Sequence, residues 1–117
     1  MIAAHARGAA EIGARIAPLV AVAEAAAGAD AEIRALSADG NAQRLRGMTV
    51  FAQALADRGA LRPGLTVSEA ADILWLLGGP AVYHRFVIEQ GWPAQRFEEW
   101  LRDALTGLIV DPGYQPA

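Results

Sequence analysis

The sequence contains no cysteine and no lysine, and each absence excludes classes of function. Without cysteine the chain cannot form disulfides, use a thiolate nucleophile or bind a metal through sulfur. All ten basic residues are arginine, and thirteen acidic residues outweigh them, so the formal charge is −3. A domain that binds DNA by itself normally presents a basic face to the phosphates. We therefore expect that this chain alone does not bind duplex DNA specifically.

Signatures of catalysis are also missing. The only histidines are His5 and His84, and neither has the spacing of a metal site or of a catalytic triad. No phosphate-binding loop occurs, since Gly78-Gly79 is too short and too apolar in context to hold a phosphate. The sequence therefore predicts no catalytic residues, no metal site and no cofactor, and it gives no case for an enzyme.

No apolar run approaches the length that a membrane span requires. A short run from Ile16 to Ala23 follows a few basic residues, as in a signal peptide. However, Glu11 lies where that region should be basic, and Pro18 interrupts the run. We expect a cytoplasmic protein that does not enter a membrane.

Alanine is abundant, with 27 residues in a chain of 117 that is 54% hydrophobic. This composition favours helices and close helix contacts, but it leaves little bulk per residue for a core. We expect one domain over residues 1–110 and a flexible tail over residues 111–117. A thin core in so short a chain also favours oligomerisation as a source of stability.

The first half predicts three helices, over residues 2–27, residues 31–36 and a longer stretch that ends at Asp57. Pro18 falls inside the first, so this segment is either a kinked helix or two helices in line. Asp30 is a suitable N-cap for the second. Ser37 to Asn41 is rich in turn-forming residues, and it predicts a turn before the longer helix.

The second half begins with a turn at Pro63-Gly64, after which Thr66 and Glu69 have the spacing of a capping box. We therefore expect a helix from about Val67, apolar nearly all round and hence interior. Gly78-Gly79-Pro80 should interrupt it, because proline has no N–H and the glycines disfavour regular helix.

After this break the apolar pattern predicts a helix over residues 81–90, with Gly91 as its terminator. Pro93 suits the first turn of a last helix. Apolar residues at helical spacing form a stripe along that helix: Phe97, Trp100, Leu101, Ala104, Leu105, Leu108 and Ile109.

The order and spacing of these segments resemble the C-terminal regulatory domain of the tetracycline-repressor (TetR) family of bacterial transcription regulators. The segments that carry the resemblance are Arg58 to Leu65, Glu69 to Trp75, Tyr83, Gly91-Trp92 and Trp100-Leu101. Less distinctly, the resemblance extends back to about residue 17. It implies an all-α helical bundle that senses a ligand and dimerises.

The sequence departs from the family pattern in two respects. Members often have serine before the proline that follows Gly-Trp, whereas here Trp92 adjoins Pro93 directly. Members also carry an N-terminal helix-turn-helix domain, and this sequence shows none. The resemblance therefore implies that DNA would be contacted only through a helix-turn-helix domain not present in this chain.

Helix interruptions leave concave space, so we expect an apolar small-molecule effector to bind near the Gly-Gly-Pro break. The candidate ligand-binding residues are Met48, Phe51, Trp75, Tyr83 and His84. Equally, these side chains could pack on one another and leave no cavity, and a histidine at such a position is more often simply hydrogen-bonded or solvated.

The apolar residues of the last two predicted helices can be interpreted in two ways. Their stripe could dock on the rest of the monomer, as an ordinary core does. The resemblance implies instead a homodimer, in which these helices form a four-helix bundle across a two-fold axis. The candidate interface residues are Val82, Phe86, Val87, Trp100, Leu101, Ala104, Leu105 and Leu108. The competing function is a stand-alone helical dimerisation or interaction module that has no small-molecule ligand.

Overall fold

The computed structural model describes residues 1–115, except for the side chains at positions 17, 20, 21 and 24. Within that part the chain forms five helices: α1 Ile2–Ala27, α2 Ala31–Asp57, α3 Val67–Leu77, α4 Pro80–Tyr83 and α5 Ala94–Ile109. A π-helical segment, His84–Glu89, continues α4. The predicted all-α helical bundle is confirmed.

Helices α1 and α2 have the outer bounds that the sequence predicts, and a side-chain cap starts α2. The carboxylate of Asp30 accepts from the backbone N–H groups of Glu32 (2.9 Å) and Ile33 (3.3 Å), as expected of an N-cap. Pro18 lies inside α1, and the helix continues through it as a single element.

The turn predicted over Ser37 to Asn41 is wrong, because α2 runs without interruption from Ala31 to Asp57. A glycine in a helix interior costs only about 1 kcal/mol relative to alanine. Breaking the helix there would forfeit several ladder hydrogen bonds and its packing against α1 and α3. Local turn preference is the weaker effect in this segment.

Helix α3 begins at Val67 with the predicted capping box. The Thr66 hydroxyl accepts from the Glu69 N–H (3.1 Å), and the Glu69 carboxylate accepts from the Thr66 N–H (3.3 Å). The helix ends at Leu77, and Gly79 adopts extended angles before Pro80 starts α4. The predicted Gly-Gly-Pro break is therefore confirmed.

The helix predicted over residues 81–90 is α-helical only as far as Tyr83, and the next six residues are π-helical. At its end the Gln90 N–H donates to the Arg85 carbonyl five residues back, at 3.0 Å. A hydrophobic pattern of this length does not reveal one extra residue per turn, which explains the error. Gly91 terminates the segment at φ +73°, as predicted.

The core lies where α5 packs against α1 and where α2 packs against α3. Its largest fully buried side chains are Phe97, Leu74, Leu101, Leu105 and Ile109. Six of its thirteen members are alanines, which agrees with the thin core expected from composition. The buried stripe of α5 therefore packs against the other helices of the same chain.

The far half of the α1–α2 pair is packed much less. From residue 14 to residue 51 none of the described side chains is buried, and Leu19, Val22 and Leu36 are about 70% exposed. Among the described residues, space between these two helices remains open to solvent and is bordered at one end by Pro80 and Ala81 of α4.

The base of the predicted flexible tail is tied to the loop after α2. The Asp111 N–H donates to the Ala60 carbonyl (2.8 Å), and Val110 pairs with Leu61 in an isolated β-bridge. Residues 116 and 117 lie outside the described part of the chain. Flexibility of the whole tail, 111–117, stays a prediction.

Candidate functional site

Trp75, at the end of α3, is attached to α2 by its side chain. Its indole N–H donates to the backbone carbonyl of Asn41 at 3.1 Å. The indole is only partly buried, and its acceptor lies in the segment predicted to be a turn. Trp75 therefore fixes the end of α3 against the middle of α2.

Arg44, one helical turn after Asn41, forms the second set of hydrogen bonds between α2 and α3, and here α2 supplies the donor. Its two terminal nitrogens both donate to the Trp75 carbonyl (3.2 Å each), and the guanidinium carbon lies 5.3 Å from the centre of the indole ring. We call Asn41, Arg44 and Trp75 the α2–α3 clamp.

The Trp75 carbonyl needs an outside donor because α3 ends there. In a continued α-helix the Gly79 N–H would bond to this carbonyl, but it donates instead to the Leu76 carbonyl at 3.4 Å. A cationic donor at a helix C-terminus also complements the helix dipole. Sequence analysis missed Arg44 and Asn41, although the glycine-proline break indicates that an unsatisfied carbonyl must precede it.

Phe51 lies in a second place, against the first helix. Its ring stacks on that of His5, with centroids 4.7 Å apart. The Nε2 atom of His5 is buried and has no hydrogen-bond partner among the described residues. Burial lowers the pKa of His5 below its ordinary value of 6.5, because the charged imidazolium would lose solvation there. Met48 is half-buried against the core.

Tyr83 and His84 occupy a third place, at the junction of α4 and the π-helical segment. Tyr83 is only 4% exposed and packs edge-on against Phe97, with centroids 5.2 Å apart. His84 directs Nε2 towards the Glu89 carboxylate at 3.8 Å, while its buried Nδ1 has no partner within the described residues. An i,i+5 pair of this kind becomes close because the π-helical turn is wider than an α-helical turn.

The structure contains two open apolar grooves beside the clamp. The small groove, about 390 Å³, is lined by Asn41, Ala42, Leu45, Asp72, Trp75 and Leu76. The main groove, about 720 Å³, lies between α1 and α2 and ends at the start of α4. Its described lining is Ile16, Leu19, Val22, Ala23, Ala26, Ile33, Leu36, Ser37, Gly40, Asn41, Arg44, Pro80 and Ala81.

These grooves do not gather the predicted ligand-binding residues. Trp75 lines the small groove, whereas Met48, Phe51, Tyr83 and His84 line neither. The sequence analysis did not predict the main groove because it placed a turn over Ser37 to Asn41. In the structure this segment is part of α2, and it helps to line the groove. Whether any of the five predicted residues contacts a ligand stays a prediction.

The predicted dimer surface is divided by the structure. Leu101 and Leu105 are fully buried within the monomer, so they have no surface to offer a partner. Leu108 is 49% exposed. The other predicted interface residues are half-buried: Val82, Phe86, Val87, Trp100 and Ala104.

An aromatic cluster lies beside this surface. The ring of Phe86 lies 4.4 Å from that of Trp92 and 4.8 Å from that of Trp100, centroid to centroid. The Arg96 guanidinium stacks on Trp92, with its carbon 4.0 Å from the ring centre. Large aromatic side chains that remain partly exposed are typical of interfaces, so a partner at this face stays a reasonable prediction.

Among the described residues, no group of three or more acidic or histidine side chains is arranged to hold a metal ion. Over the same part of the chain, no helix combines the length and hydrophobicity needed to cross a membrane. What these residues offer is apolar concave surface, with the fixed polar groups of Asn41 and Arg44 at the end of the main groove nearest α4.

Comparison with known proteins gives no match to a family model, to a curated protein or to a solved structure. Membership of the TetR family therefore remains a prediction from the sequence.

Proposed function

We propose that this chain is a cytoplasmic ligand-sensing and dimerisation domain of a TetR-like transcription regulator. In this proposal an apolar small-molecule effector binds in the main groove, and DNA is contacted only through a helix-turn-helix domain not present in this chain. The observation that carries the proposal is the main groove itself. Its volume, about 720 Å³, lies within the range of roughly 300–1,000 Å³ that is usual for small-molecule sites.

The lining of the main groove indicates an apolar ligand. The described side chains of α1 that line the groove are all aliphatic or alanine, with Ile16, Leu19 and Val22 the largest. On α2 the polar groups Ser37, Asn41 and Arg44 succeed one another at i, i+4 and i+7, so they share one face. Mostly apolar walls with a few placed polar groups are the usual composition of a small-molecule site.

The dimer in this proposal uses the face that α4, the π-helical segment and α5 leave exposed. On these elements Ile88 and Leu108 are each about half exposed, and Phe86, Trp92 and Trp100 form a cluster of rings. A two-fold pairing would remove these side chains from water. Because Leu101 and Leu105 are already buried in the monomer, the contact would be formed by the outer residues of the last helix.

The alternative, an interaction module without a ligand, has one observation in its favour. Four of the five residues predicted to bind a ligand line neither groove, and Tyr83 is packed into the core. In that case the exposed aliphatic residues of the main groove would contact another protein instead. The two functions differ in whether a small apolar molecule saturates the groove.

The test uses the uncharged fluorescent probe N-phenyl-1-naphthylamine and two glycine variants of α2. Gly40 lines the main groove, and an added Cβ there meets nothing within 4 Å, so Gly40→Leu adds apolar bulk beside the groove from an unobstructed position. Gly47 has equally open surroundings on the same helix but does not line the groove, so Gly47→Leu is the matched control.

We expect saturable binding to the wild type, weakened by roughly tenfold or more in Gly40→Leu, which corresponds to about 1.4 kcal/mol. Gly47→Leu should bind as the wild type does. No saturable binding to the wild type, or equal binding by all three proteins, would contradict the proposed site and favour the interaction module.

A further inference from the structure

We propose that Arg44 is the positioning residue of the main groove, and that through Trp75 it couples occupation of the groove to the break between α3 and α4. The inference rests on the proposed function, because it concerns the same groove. It adds the residue through which an occupant would be detected by the rest of the fold.

Arg44 is suited to this role because it belongs to the groove wall and to the clamp at once. It is the only charged side chain in the described lining of the main groove. Its guanidinium is oriented by two donations to one carbonyl, that of Trp75. A planar guanidinium held in this way has a defined direction, unlike an arginine that extends freely into solvent.

Trp75 in turn forms a hydrogen bond to α2. Its indole N–H donates to the Asn41 carbonyl, and Asn41 lines both grooves. The two helices are therefore joined by hydrogen bonds in both directions within one turn of α2. A displacement of residues 41–44 by an occupant of the main groove must alter at least one of these bonds.

Gly79 explains why the clamp acts on the break in particular. A Cβ at this position would stand 2.7 Å from Arg44 Nη1 and 3.0 Å from the Trp75 carbonyl oxygen. The angles of Gly79 (φ −77°, ψ 157°) are accessible to any residue, so an added side chain is opposed by the guanidinium and the Trp75 carbonyl, not by the backbone angles. The guanidinium thus fills the gap between the end of α3 and the start of α4.

The wall of the main groove continues directly across this gap to Pro80 and Ala81. A molecule in the inner end of the groove would therefore contact Arg44 on one side and the first residues of α4 on the other. Helix α4 leads without interruption into the π-helical segment, which carries Phe86 of the half-buried aromatic cluster. Through this route, movement at the groove would be transmitted to the exposed face.

The experiment follows the indole N–H resonances of ¹⁵N-labelled protein during titration with N-phenyl-1-naphthylamine. Trp75, Trp92 and Trp100 supply three such signals, and a Trp75→Phe variant assigns the one that matters. We expect the Trp75 signal to move on binding. We also expect this response to be lost in Gly79→Ala, in which the added methyl group displaces Arg44, when each protein is compared at a probe concentration that saturates it.

Arg44→Lys is the second test, because it leaves the backbone at position 79 unaltered and keeps the charge. An ammonium group lacks the planar fork, so the Trp75 response should again be lost. Gly47→Ala, which has open space around it, should retain the full response. A Trp75 response that persists unchanged in Gly79→Ala and Arg44→Lys would overturn the inference.

The two proposals fail differently. Absence of probe binding to the wild type would defeat the proposed ligand function and the coupling together. Saturable binding with an unmoved Trp75 signal would defeat only the coupling.

Discussion

The backbone of Gly13 lies directly against the ring of Tyr83, and a Cβ built on Gly13 would stand 2.6 Å from Cγ of the tyrosine. This contact joins the middle of α1 to the end of α4. It also explains why Tyr83 does not face a cavity. The ring is enclosed by Gly13 on one side and by the edge contact with Phe97 on another.

Gly13→Ala should destabilise the protein. Alanine is normally favoured over glycine inside a helix by about 1 kcal/mol. Here the methyl group would meet the Cγ and Cβ atoms of Tyr83, which cannot move without shifting α4. Overpacking of this kind costs about 1–3 kcal/mol, so the strain should prevail. Urea unfolding followed by circular dichroism measures the effect.

The matched control for this prediction is Gly8→Ala. Gly8 lies in the same helix, and an added Cβ there meets nothing within 4 Å. This variant should therefore be as stable as the wild type or up to about 1 kcal/mol more stable. Equal effects at positions 8 and 13 would show that the Gly13–Tyr83 contact is not as close as described.

Leu105→Asp and Leu108→Asp should have different consequences, although the two residues lie on the same helix. Leu105 is fully buried within the monomer, and an unpaired carboxylate there costs several kcal/mol. Total stability is only about 5–15 kcal/mol for an ordinary domain, so this variant should lose much of its helical circular dichroism signal at moderate temperature.

Leu108 is 49% exposed in the monomer and belongs to the proposed dimer face. Leu108→Asp should therefore remain folded and become monomeric, because the charge would be buried only in the dimer. Light scattering coupled to size exclusion reports the mass directly. A wild type that is monomeric at tens of micromolar, or a Leu108→Asp variant that stays dimeric, would contradict the dimer proposed at this face.

Stability should fall on mild acidification, and His5 should contribute to the fall. Burial lowers the pKa of His5 in the folded state below its ordinary value of 6.5. Between these two pKa values the unfolded chain binds more protons than the folded one. The contribution of His5 to stability is therefore complete above pH 6.5 and decreases as the pH falls from 6.5 towards the folded-state pKa.

The variant His5→Phe keeps a ring to stack on Phe51 and removes the titrating group. We expect the free energy of unfolding to decrease less in this variant than in the wild type between about pH 7.5 and about pH 5.5. Unfolding in urea at the two pH values measures the difference. An identical decrease in both proteins would mean that His5 is not desolvated in the folded state.

Thr66→Ala should lower stability by about 1 kcal/mol, because the backbone N–H of Glu69 loses its acceptor. Ser68→Ala is the control, since Ser68 is exposed in the same turn. That change should alter stability by less than about 0.5 kcal/mol. Thermal unfolding of the two variants side by side separates the loss of the cap from a general effect of alanine in this turn.

Much of the fold could be predicted from the sequence, because it depends on contacts within a few residues. The Asp30 cap, the capping box of Thr66 and Glu69, and the glycine-proline break each follow from the side chain or backbone of the residues that form them. The helical spacing of apolar residues in the last helix likewise indicates which side is buried. The stripe of Phe97, Leu101, Leu105 and Ile109 is buried in the structure.

Tertiary structure determined the features in which a local conformational preference conflicts with longer-range packing. Helix α2 continues through Ser37 to Asn41 because hydrogen bonding and packing along a 27-residue helix outweigh the turn preference of a few residues. The helical pattern also does not show which surface covers a stripe. Only the packing of α5 on α1 shows that Leu105 belongs to the monomer core and that Leu108 does not.

The candidate site depends most on tertiary structure, because its parts come from segments that are distant in sequence. Arg44 and Trp75 are separated by 31 residues and meet only because α3 packs along α2 and ends at Gly78-Gly79-Pro80. Composition and periodicity determine that this chain forms helices and where most of them begin and end. The arrangement of those helices determines where concave apolar surface remains, since a groove is defined by surfaces that fail to meet.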